Sequence, residues 1–176
     1  MDLSSRPIAP DPYAQLPQVP SFTLSSHDLV DGTSMPQIHT ADGGNISPHL
    51  AWSGAPRETE SFMLTCFDPD APTPAGWWHW CIIDLAPSLT QLEHNAGASD
   101  LNLEGAAFHL RADHSHANYF GAAPPQGDRP HRYIFAIHAL NIPTLGLDDD
   151  ATPTMASFVA LEHTLARATL TVTYQH

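Results

Sequence analysis

The chain has 176 residues, enough for one domain that buries roughly 70% of its unfolded surface without help from disulfides or metal. Nineteen acidic against six basic side chains leave a formal charge of −13, which argues against nucleic acid or anionic membrane as a partner, since both need a basic footprint. Small molecules or proteins are therefore the expected partners, and the 12 histidines would offset much of the negative charge below about pH 6.5.

Residues 1–20 carry Pro7, Pro10, Pro12, Pro17 and Pro20 and no continuous apolar stretch. They read as an extended arm lying along a single domain of residues 21–176, not as a signal peptide or membrane span, and a cytoplasmic location is expected. Residues 22–24 alternate as a short strand, and residues 37–40 are expected to form another. The glycines and Asn45 of residues 41–48 make a loop, after which His49-Leu50-Ala51-Trp52 resumes a strand. Two apolar runs, 62–67 and 80–83, have the length and the β-branched or aromatic content of buried strands. Cys66 and Cys81 sit inside them as small hydrophobes, and no disulfide is expected.

The segment between those runs holds three prolines, which fix φ and remove donors, so Asp68-Pro69-Asp70-Ala71-Pro72 is neither helix nor central strand. It is a rigid loop presenting two carboxylates and then, at His79, an imidazole. Residues 85–100 are polar and irregular, and 105–110 form a weak strand. A long loop over 113–127, of a length usually reserved for function, delivers His131 to the start of a strand over 133–140. Thr152 as N-cap and Pro153 at the first helical position open the one helix expected, whose core face is expected to be Met155, Phe158, Val159, Leu161 and Leu165. Residues 168–174 alternate as a terminal strand. Many short strands with Pro and Gly turns and one late helix give a mostly antiparallel β-sandwich.

If the ends of the strands carrying the two imidazoles converge, Asp68, Asp70, His79, His131 and Tyr133 line one pocket. Two acids and two histidines could also hold a divalent cation and support hydrolysis, which is the alternative reading. No Gly-x-Ser-x-Gly elbow, activated cysteine or Gly-rich nucleotide loop is present, so no catalytic residue is assigned and an enzyme is not expected. The run His109 to His116 fits no zinc spacing and reads as a solvated loop.

Three ordered motifs, Asp68-Pro69-Asp70-Ala71-Pro72, Gly76-Trp77-Trp78-His79-Trp80 and Pro124-Pro125-Gln126-Gly127-Asp128-Arg129-Pro130-His131-Arg132-Tyr133, resemble those of the phosphatidylethanolamine-binding proteins. The likeness is to their bacterial branch, the Raf kinase inhibitor-like proteins, and extends to Asp42-Gly43-Gly44-Asn45-Ile46-Ser47-Pro48. It implies two antiparallel sheets and a small cavity that binds phosphate, other oxyanions or phospholipid head groups, with no cofactor. By the resemblance, the cavity residues are Asp68, Asp70, His79, Pro125, His131 and Tyr133, with cis peptide bonds at Ala71–Pro72 and near Ala75–Gly76. It also implies a regulated protein partner, such as a kinase or protease, and a homodimer.

Carboxylates beside a bound phosphate would repel it. Either an Asp accepts from one nitrogen of His79 or His131 and raises the imidazole pKa, so that the other nitrogen donates to the ligand, or an Asp is itself protonated against a ligand oxygen. Both schemes predict tighter binding as pH falls from about 8 to 6.

Overall fold

The computed structural model describes Leu3 and residues 5–176; the arm expected over residues 1–20 lies outside that description at Met1, Asp2 and Ser4. Eight strands form two antiparallel sheets. In the smaller, β1 (Thr23–Ser25) and the two-residue β5 (Gln91–Leu92) flank β2 (Leu50–Ser53). The larger runs in the order β6 (Phe108–His109), β4 (Trp77–Leu85), β3 (Ser61–Asp68), β7 (His131–Leu140) and β8 (Thr164–Tyr174).

Period two sorts β3 and β7 cleanly. Leu64, Cys66, Tyr133, Phe135 and Ile137 face inward against Leu50, Trp52 and Leu92 of the small sheet. Met63, Cys81, Ile83 and Leu140 face the other way, under the helix α1 (Pro153–Ala160). Both faces of the large sheet are therefore covered, which is why β3 reads as a continuous apolar run rather than an alternating one. The cysteines fall on opposite faces, Cys66 in the sandwich core and Cys81 beneath α1, and both are free.

The N-terminal arm covers the rest of the outer face. Tyr13 shares a 3.2 Å hydrogen bond with Thr65 of β3, packs on His138 of β7 and lies under the Arg167 guanidinium of β8. Arg129 donates to the carbonyls of Arg6 and Pro7, and Arg132 to that of Ala9, so the arm is held by its backbone.

Two local expectations are corrected. Residues 37–40 are not a strand: Gln37–His39 is a 3-10 turn, and Thr40 alone bridges Ala122. The helix begins as expected, with the Thr152 hydroxyl accepting from Met155 N, but its buried face is Pro153, Ala156 and Ala160. Phe158 is 74% exposed and Met155 50%. Small side chains let the helix lie close on the sheet, and a face of large ones would hold it off. Leu161 falls in a 3-10 turn and Leu165 in β8, so neither belongs to the helix. No helix among the described residues is long and apolar enough to cross a membrane.

Candidate functional site

The site forms where β3 ends and β7 begins. The antiparallel register sets Phe67 opposite Ile134, so Asp68 and His131 leave the inner row of the sheet at the same end of the sandwich. On the other side of β3, Cys66 pairs with Trp80 and Phe67 with Trp78, which makes His79 the extra residue of a β-bulge. A bulge breaks the alternation of side chains and re-aims one of them, here an imidazole that meets the Tyr133 ring edge-on at 5.0 Å. The 113–127 loop closes the end of the core. Its passage is tight at Gly121, where a Cβ would come within 2.3 Å of the His39 carbonyl oxygen.

These elements enclose a cavity of about 220 Å³. Its walls are Pro72, Trp77, Phe120, Ala123 and Pro125, and its polar groups include Asp68, His79 and His131. His131, 1% exposed, is held at both nitrogens: Nδ1 lies 2.8 Å from Asp68 Oδ2 and Nε2 3.0 Å from Asp128 Oδ2. Burial disfavours its cation, but the hydrogen bonds and charges of the two carboxylates outweigh that, and its pKa is raised. An imidazole with an acceptor at each nitrogen is an imidazolium.

His79 is the opposite case. Its Nδ1 donates to the Phe120 carbonyl at 2.8 Å, and burial pushes its pKa down to about 4 against the opposing pull of Asp68. At neutral pH it is an uncharged ring whose Nε2 carries a lone pair. At neutral pH the cavity therefore pairs an imidazolium with an uncharged imidazole.

Around and behind the cavity lie three carboxylates and three guanidiniums. Asp70 does not line the cavity; Arg132 grips it through Nε at 2.7 Å and a terminal nitrogen at 2.9 Å, and the Arg132 amide adds a third bond. Burial opposes this charge, but the Arg132 contacts hold the Asp70 pKa below its usual value. Asp128 is likewise held down, by His131, the Arg129 amide and Arg6 of the N-terminal arm. Asp68 closes the turn by accepting from the Asp70 amide at 2.8 Å. Three acids (Asp68, Asp70, Asp128) are thus paired with Arg6, Arg129, Arg132 and the His131 cation. Half of the chain's six basic side chains gather here, and with Asp11 also acting on Arg132 the acids are matched by the three guanidiniums and the His131 cation in a strongly acidic protein.

The sequence pattern of the phosphatidylethanolamine-binding protein family matches residues 25–175. The chain belongs to this family. Among its relatives, YbhB of Escherichia coli is 42% identical over 156 residues, covering 86% of this chain and 98% of YbhB. YbcL of the same organism is 35% identical over 164 residues, 90% of each chain. The crystal structure of YbcL, titled a new member of the mammalian family, superposes with a TM-score of 0.86 over 89% of this chain and 99% of its own. That of a Chlamydia trachomatis homologue is 28% identical and gives 0.76 over 89% and 98%.

Of the family positions carried over from the motifs, Asp68, His79, Pro125 and His131 line the cavity. Asp70 and Tyr133 stand behind it. The Tyr133 hydroxyl is buried without a hydrogen-bond partner among the described residues, and burial raises its pKa. Asp128 was not singled out, although it sits three residues before His131 inside the quoted third motif. Its role shows only when both imidazole nitrogens are accounted for. The expected cis bonds are also corrected. Every peptide bond among the described residues is trans, and the chain reverses instead through Gly76 at φ 68°, with the Thr73 hydroxyl donating to the Gly76 carbonyl. A left-handed glycine turns the chain without the roughly 2.5–4 kcal/mol that a cis bond costs before a non-proline residue.

The idea that a second histidine nitrogen donates to the ligand meets an obstacle at His131, where Asp128 occupies that nitrogen. The same bonds bear on the cation reading: with His131 held twice and Asp70 gripped by Arg132, the four motif residues present no convergent donor set. The run His109 to His116 is a solvated loop only in part: His109 is buried in β6 with its Nδ1 against Asp100, while His114, bonded to Asn118 and stacked on Phe120, and the exposed His116 lie on the 113–127 loop.

Proposed function

We propose that the cavity binds a small phosphorylated group and takes it in its singly protonated form. The observation that carries this reading is the pairing at the cavity floor, where an uncharged His79 offers a lone pair and the Asp68 carboxylate is tied to the His131 cation. Such a floor accepts protons rather than donating them. A phosphate monoanion supplies the O–H that His79 Nε2 or Asp68 can accept, while the His131 cation in the same lining offsets its remaining negative charge. Aromatic and proline walls exclude water and strengthen these contacts. The family's description names phosphatidylethanolamine, whose phosphodiester has no O–H to give but whose head-group ammonium is a donor suited to Asp68; phosphoethanolamine, a monoester, carries both donors.

The reading predicts pH dependence through the ligand. A phosphate monoester has a second pKa of about 6, so its monoanion rises from roughly one part in a hundred at pH 8 to half at pH 6. Calorimetric titration with phosphoethanolamine should show affinity up to about 50-fold tighter at pH 6 than at pH 8. Sulfate, which has no proton to give in this range, should bind weakly and without that gain. Equal pH response for both anions, or phosphoethanolamine affinity unchanged in His79→Ala, would refute the proposal.

A further inference from the structure

The described residues contain one group of three metal-ligating side chains whose donor atoms all lie within 4.8 Å of one another, and it is remote in sequence from the cavity motifs: Asp28, His39 and His94. We propose that this group is a binding site for a divalent first-row cation of the Zn²⁺ class, with the fourth coordination position open to water.

Three segments meet there. Asp28 follows β1, His39 closes the 3-10 turn of Gln37–His39, and His94 follows β5. Each donor is prepared by a separate bond. His39 is 1% exposed, and its Nδ1 donates to the Ile46 carbonyl at 2.7 Å, so the tautomer is set and Nε2 keeps its lone pair. No residue among those described donates to that Nε2. A backbone carbonyl on the far nitrogen is the arrangement that orients a ligating histidine.

Asp28 is held by the His49 amide at 2.6 Å and meets His94 Nδ1 at 3.0 Å, both through Oδ2, while its Oδ1 takes part in no hydrogen bond among the described residues. His94 is exposed, so its proton can pass between ring nitrogens through water and leave Nδ1 free for a metal. A surface cleft of about 320 Å³, lined by Glu93, His94 and Asn102 among others, borders the group on its His94 side.

Geometry and chemistry favour zinc over harder cations. In a tetrahedral site with bonds of about 2.0–2.1 Å, donors sit about 3.3 Å apart. The Asp28–His94 pair already has this spacing, and the exposed His94 side chain can swing to complete it around the fixed His39. Two imidazoles and a carboxylate suit Zn²⁺, whereas Mg²⁺ and Ca²⁺ call for oxygen ligands. A solvated Asp–His pair would account for the Asp28–His94 contact. It leaves unexplained a buried imidazole turned into the same spot with a vacant nitrogen.

The site also sits against the cavity's supports. The His39 carbonyl accepts from the Tyr119 hydroxyl at 2.7 Å, and Ala41 N donates to Ala122 O at 2.9 Å, so a cation here would staple the segment that carries Phe120 and Ala123.

The test is calorimetric titration of the EDTA-treated full chain with Zn²⁺, with Co²⁺ absorption reporting coordination geometry. One equivalent should bind, with tetrahedral Co²⁺ bands, and melting temperature should rise with added Zn²⁺. His94→Ala, at an exposed position, and Asp28→Asn should each weaken that equivalent by more than the roughly 10–100-fold that loss of an outer-shell partner costs. A His114→Gln/His116→Gln double variant should keep it, separating this site from adventitious binding by a histidine-rich chain. Zn²⁺ affinity unaltered by His94→Ala, or lost in the double variant alone, would overturn the proposal.

Discussion

Replacing Asp128 by Asn tests the claim that His131 is a buried imidazolium. Asparagine keeps the shape and an oxygen that can still accept from Nε2, so the substitution removes charge rather than the contact. Of the two carboxylates at 2.8 and 3.0 Å, one remains. An adjacent opposite charge shifts a pKa by about 1–3 units, so the folded-state value of His131 should fall by about one unit, equivalent to about 1.4 kcal/mol. The sign follows from the raised pKa. The His131 contribution is fully present below its ordinary value of 6.5 and disappears as pH rises through the higher folded value. The contribution from Asp128, whose own pKa is depressed below 3.8, is constant above about pH 5.5 and does not distort the profile. Urea unfolding from pH 5.5 to 9 should therefore show stability falling above about pH 6.5 in both chains, and in Asp128→Asn the fall should end about one pH unit lower and be about 1.4 kcal/mol smaller. Ring ¹⁵N spectra should show both His131 nitrogens protonated at pH 7. A neutral ring at pH 7, or superimposable pH profiles, would refute the assignment.

His79 should behave in the reverse sense. Its ring spectrum should stay that of the neutral Nδ1–H tautomer down to about pH 5, since its pKa lies near 4, and its contribution to stability should be lost as pH falls from 6.5 towards 4; titration near 6.5 would contradict this. Asp70→Asn removes one side of a buried, bidentate ion pair and should cost about 3 kcal/mol, or roughly 6–12 °C in melting temperature, while phosphoethanolamine affinity in the folded protein stays within about threefold. A large affinity loss at full stability would place Asp70 in the cavity after all. Phe158→Ala should cost less than about 0.5 kcal/mol by urea unfolding, whereas a core phenylalanine would cost about 3–5.

Helix α1 shows how far pattern alone carries. Its start was legible, because Thr152 and Pro153 act within one turn of chain. Its buried face was not, because hydrophobicity ranks Phe158 above Ala156, while the sheet beneath selects for closeness of approach. The candidate site divides the same way. The motifs named Asp68, His79, Pro125 and His131, which do line one cavity, and they also named Asp70, whose carboxylate Arg132 turns to structural use. Nothing local distinguishes the two acids of Asp68-Pro69-Asp70, since two residues apart on a turn they differ only in what each meets across the molecule.

The amino-acid sequence by itself determined the long strands, the helix cap and the family, since each depends on residues close together in the chain or on ordered motifs, but not the turn at Gln37–His39 or the short β5. Protonation was decided only by tertiary structure. Asp128 and Asp68 reach His131 from opposite sides of one ring, and the 113–127 loop brings the Phe120 carbonyl to His79. Two histidines alike in sequence thus become a cation and a neutral base near pH 7, because burial penalises charge wherever no carboxylate is close enough to hold the proton.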